Sequence, residues 1–137
     1  MAMYIKYKYM NNYYNSNNFD IENYNDIKHL ICPDNKLINI PILPSSLIYL
    51  NCNYNKLIFL SKLPNPLEDL RCNHNILINL PILSNNLEIL HCYNNKLTKL
   101  QKIDKVKDIC YDLRLIKFIS KYNKYKIKIY YFISYLC

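Results

Sequence analysis

Apolar residues return along this chain at a fixed interval. Leu47, Leu50, Cys52, Leu57, Leu60 and Leu63 reappear twenty residues later as Leu67, Leu70, Cys72, Leu77, Leu80 and Leu83. They appear once more as Leu87, Leu90, Cys92, Leu97 and Leu100. Polar positions keep the same step, with asparagine at 35, 55, 75 and 95. The shared frame is LxxLxCxxNxLxxLxxLPxx, with units at about 27–46, 47–66, 67–86 and 87–105. A degenerate fifth copy, 106–119, joins it when one residue is dropped: Val106, Ile109, Tyr111, Arg114, Ile116 and Ile119 then fall on the frame. A twenty-residue period this regular means stacked supersecondary units.

Each unit predicts the same local path. The phase of Leu47, Leu50 and Cys52 marks a short strand with one side buried. Asn55 then turns the chain, and Leu57, Leu60 and Leu63 point back from the opposite wall. Pro41, Pro44, Pro64, Pro66 and Pro81 lie in the return segments. Proline neither donates to a ladder nor continues a helix, so the return is extended or polyproline-like. One coil cannot bury its apolar stripe alone, and stacking on the next coil does. The prediction is a short right-handed repeat solenoid with a parallel β-sheet on its concave face. That sheet spans five coils, about 24 Å at the usual strand spacing.

The frame resembles the leucine-rich repeat, whose signature is LxxLxLxxN/CxL, in its short class of roughly twenty residues found in bacterial effector proteins. The resemblance covers residues 27 to about 119. It implies partner binding on the concave sheet face, and a structural ladder of Asn35, Asn55, Asn75 and Asn95 that satisfies buried backbone groups. In such effectors an attached ubiquitin-ligase domain carries a Cys-x-Asp motif. Cys32-Pro33-Asp34 matches that string, but Cys32 is the repeat's core position and no stretch long enough for the domain remains. The ligase activity is therefore not carried over.

Composition changes this picture little. The chain lacks Gly and Trp and is rich in Asn, Lys, Ile and Tyr, a bias that AT-rich codons explain without function. Charge adds more. Residues 1–95 are neutral overall, and the surplus of +8 lies entirely in residues 96–137. Residues 1–10 and 124–129 alternate like strands, residues 11–18 read as a loop, and the 1–26 flank and the basic, Tyr-rich 120–137 segment suit the caps that a solenoid's open ends need. Residues 20–26 suit a short helix or turn entering the first coil. Lys121, Lys124, Lys126 and Lys128, interleaved with tyrosines, also suit an anionic surface or single-stranded nucleic acid. That is the alternative function class. No secretory signal and no spanning segment is visible, so an intracellular, cytoplasmic protein is expected.

The most suggestive chemistry is LRCNHN, which sets Cys72 beside His74. Cys32, Cys52, Cys72 and Cys92 all share the inward phase, where a free thiol packs as a small hydrophobe. His74 is expected to face solvent, and no catalytic pair, metal site or cofactor follows. The sheet surface then offers Tyr49, Asn51, Tyr54, Asp69, Arg71, His74, His91 and Tyr93. Tyr and Arg are enriched among interface hot spots. These residues predict a non-enzymatic module that binds an unidentified protein partner.

Overall fold

The computed structural model describes residues 4–6, 27–40, 42–100, 105–111 and 128–131. Seven parallel strands run through them: Tyr4–Lys6 (β1), His29–Ile31 (β2), Tyr49–Asn51 (β3), Asp69–Arg71 (β4), Ile89–His91 (β5), Asp108–Tyr111 (β6) and Lys128–Tyr131 (β7). They form one sheet in sequence order. Five coils therefore understate its extent, because β1 pairs with β2 and β7 with β6 at the two ends.

Sequence spacing fixes the register. Leu50 pairs with Leu30 and Leu70, and Leu70 pairs with Leu90, each twenty residues on. The next step is nineteen: Leu90 pairs with Ile109. Val106, Ile109 and Tyr111 accordingly sit in the core, with Tyr111 extending the column begun by the cysteines.

Within a coil the burial follows the frame. Leu47, Leu50, Cys52 and Leu57 are fully buried, and Leu60 and Leu63 nearly so. Between Leu63 and Leu67 the chain reverses in a tight turn, in which Leu67 N donates to Pro64 O. Leu47 closes on Pro44 and Leu87 on Ser84 in the same way. The return segments between are non-helical, as proline requires.

Asparagine closes the other corner. The Asn75 amide donates to the carbonyls of Cys52, Cys72 and Asn73, and its Oδ1 accepts from Leu57 N at 3.0 Å. Asn55 and Asn95 repeat the arrangement one coil either side. Each buried amide thus fastens its coil to the preceding one and satisfies main-chain groups that water cannot reach. Asn35 differs in degree: it is half-buried, and its Nδ2 donates to Pro33 O in its own coil.

Just before each of these asparagines the backbone turns left-handed. Asp34, Tyr54, His74 and Asn94 have φ between 52° and 56°, and Lys36 has 57°. With no glycine in the chain, ordinary side chains carry a conformation that disfavours a Cβ. Asp, Asn and His are the non-glycine residues that visit it most readily, and Tyr54 is the least suited of the four.

Candidate functional site

The pleat sends alternate side chains of each three-residue strand off the open face of the sheet, while the middle one enters the core. The first outward row is His29, Tyr49, Asp69, Ile89 and Asp108; the second is Ile31, Asn51, Arg71, His91 and Cys110. Arg71 is held firmly here. Its Nε and a terminal nitrogen reach both carboxylate oxygens of Asp69 at 3.0–3.2 Å. Its guanidinium also lies 5.5 Å from the centre of the Tyr49 ring. The Asp69 hydrogen bonds raise the Arg71 pKa further above its ordinary range. His29 leans on Tyr49 with ring centres 5.9 Å apart.

Beyond the strands, the left-handed corner changes what the side chains do. Tyr54 and His74 stack with centroids 4.2 Å apart and planes 13° from parallel, and Tyr93 meets the His74 ring edge-on at 4.6 Å. His74, expected in solvent, is half-buried in this aromatic column. Asn94 Nδ2 lies 2.7 Å from His74 Nδ1. The two atoms are within hydrogen-bond distance, with the roles set by the imidazole tautomer. The reversal of φ at His74 also separates it from Cys72, whose thiol is fully buried.

A second hydrogen-bonded ladder runs beneath the rings. Asn73 N donates to Asn53 Oδ1 at 2.8 Å, and Tyr93 N to Asn73 Oδ1 at 2.9 Å. Asn51 Oδ1 accepts from Asn53 N. From sequence these asparagines are indistinguishable from generic exposed polar residues. The same frame position holds Pro33 and Tyr93 in the flanking units, so the repeat does not single them out.

An open groove of about 440 Å³ is walled by Tyr54, His74 and Tyr93 and floored by Asn53, Asn73, His91, Asp108 and Cys110. At its far end His91 Nε2 faces Asp108 Oδ1 at 3.4 Å, too long for a firm hydrogen bond. Of the eight residues proposed for partner binding, Tyr54, His74, His91 and Tyr93 converge on the groove. Tyr49, Asp69 and Arg71 form an adjoining cluster, and Asn51 stands between them in the second row.

The cysteines form a different, closed column. Cys32, Cys52, Cys72 and Cys92 are all buried. Burial pushes the Cys32 thiol up to about 12 and holds Cys52 and Cys72 well above their ordinary range. Such thiols are poor nucleophiles and poor metal ligands at neutral pH. Among the described residues no group of three His, Cys, Asp or Glu side chains is arranged to hold a metal ion. Lys121, Lys124 and Lys126 lie outside the described residues, as do Arg114, Ile116, Ile119 and 20–26; Lys128 opens β7.

Twenty-residue coils, a parallel sheet in sequence order and a buried asparagine ladder define a short-class leucine-rich-repeat solenoid. Among solved structures, the chain is similar to YopM from Yersinia enterocolitica WA-314, with a TM-score of 0.63 and 30% identity. The match covers 64% of this chain and only 20% of YopM, so the chain spans about a fifth of that protein's length. No family model and no curated protein matches it. Among the described residues no helix is long and apolar enough to cross a membrane.

Proposed function

We propose that this solenoid is a non-catalytic interaction module that holds a protein partner against its concave sheet face. One observation carries the reading: Tyr54, His74 and Tyr93 are locked against one another beside an open groove, with the clamped Arg71 and Tyr49 adjoining. Rings and guanidinium held in place before binding lose little side-chain entropy on contact, which is what interface hot spots need. The polar floor supplies orientation, and the repeat supplies rigidity. The resemblance to leucine-rich-repeat proteins points to the same face.

Site-specific photo-crosslinking tests this. A photoreactive phenylalanine analogue replaces Tyr49 or Tyr93 in turn, and Phe59 on the opposite wall serves as reference. The expected result is a discrete protein adduct from both concave positions and none from Phe59, lost in the Tyr54→Ala/Arg71→Ala variant while its melting temperature holds. Adducts of equal yield from all three positions, or unaltered by that variant, would refute the reading.

A further inference from the structure

The wall opposite the sheet carries an unusual surface. Ile42 and Ile82 are 81% and 83% exposed, and Ile38, Ile58, Phe59 and Ile78 lie between 48% and 64%. Ile38, Ile58 and Ile78 occupy the same phase of consecutive coils, and main-chain contact persists there, with Ile78 N donating to Ile58 O. They form one ridge rather than scattered points.

Charge on this wall has a single sign. The return segments 36–43, 56–63, 76–83 and 96–100 contain Lys36, Lys56, Lys62, Lys96 and Lys99 and no Asp or Glu. All five lysines are exposed. The acidic residues of the described coils lie elsewhere: Asp34 at the corner, Glu68, Asp69 and Glu88 at the strands, and Asp108 on β6. Folding has therefore sorted charge into a mixed sheet side and a purely basic, aliphatic back.

We infer that this back wall docks on an anionic lipid bilayer surface, independently of the concave face. A ridge of apolar side chains protruding from a convex wall needs a medium that yields around it, and the headgroup–acyl boundary does so. Lysines among them extend their stems along apolar surface while the ammonium meets lipid phosphate or carboxylate. Each such lysine strengthens attraction to an anionic leaflet by about fivefold. A second copy of this face is a poor occupant, since five lysines would oppose five. Nucleic acid is a poor one too, because the ridge offers one aromatic ring, Phe59, for stacking.

Vesicle flotation with the full chain decides it. Vesicles of phosphatidylcholine with roughly 30% phosphatidylserine are compared with pure phosphatidylcholine, with salt raised from about 0.05 to 0.5 M. The expected result is flotation with the anionic vesicles alone, weakening as salt rises. Ile42→Ser/Phe59→Ser/Ile82→Ser should lower partitioning at least about tenfold without altering the melting temperature, since these side chains already face water. Lys121→Gln/Lys124→Gln/Lys126→Gln/Lys128→Gln should leave it within about twofold. Undiminished flotation of the triple serine variant, or loss confined to the C-terminal lysine variant, overturns the inference. So does absence of flotation at low salt.

Discussion

Asn75 Nδ2 donates to the carbonyl of Cys52, one coil earlier, at 3.0 Å. The same carbonyl accepts from Asn55 in its own coil, so one oxygen receives two buried amides from successive rungs. Replacing Asn75 by leucine keeps the bulk and orphans several main-chain groups at once. We expect Asn75→Leu to lower unfolding free energy by more than about 1 kcal/mol in urea titration. An unchanged midpoint would contradict the ladder's role.

The second ladder is shallower and should matter less. Asn73 joins Asn53 Oδ1 to Tyr93 N where solvent still reaches. Asn73→Ala is expected to destabilise by about 0.5–1.5 kcal/mol. It should also loosen Tyr93, visible as broadening of its ring resonances, which the Asn75 change at comparable destabilisation should not produce.

Lys36 holds φ at 57°, whereas Lys56, Ile76 and Lys96 at the same repeat position show no positive φ. Asparagine visits the left-handed region at lower energy. Lys36→Asn should therefore stabilise by about 0.5–1 kcal/mol, while Lys56→Asn should not. Equal thermal shifts for the two would show that backbone strain is not the cause.

The buried thiols make stability depend on alkaline pH. Cys32 titrates at about 12 in the fold, against 9.0 ordinarily. Between these values the unfolded chain sheds a proton that the folded chain keeps. Stability is thus full below pH 9.0 and falls as pH rises toward 12. Cys52, which burial also raises, should follow the same sign, so Cys52→Ala should give a shallower alkaline decline than wild type. At neutral pH, Cys32, Cys52, Cys72 and Cys92 should be alkylated only on unfolding, as site-resolved mass spectrometry will read.

Concave and convex readings separate in one pair of measurements. Tyr54→Ala with Arg71→Ala should abolish crosslinked adducts and leave vesicle flotation within about twofold, whereas Ile42→Ser with Ile82→Ser should do the reverse. Parallel loss of both activities in either variant would mean that the two faces do not act independently.

The chain's own spacing determined the coil, because inward positions must repeat wherever identical units stack: Leu50, Cys52 and Leu57 were readable as core from period alone. The leucine-rich-repeat resemblance added the asparagine ladder, whose Asn55, Asn75 and Asn95 are buried. Tertiary structure alone decided how neighbouring coils place their outward groups. Tyr54 and His74 are distant in sequence and acquire their stack only because φ reverses at both. Arg71 is held by Asp69, a contact that the repeat frame does not encode. Asn53 and Asn73 join successive coils in a second ladder. Ile38, Ile58 and Ile78 occupy a position that the frame leaves open, and stacking lines them up facing water. Periodicity records which side of the coil a residue occupies; contacts between side chains on that side depend on backbone angles and coil-to-coil distance, which a one-dimensional pattern does not carry.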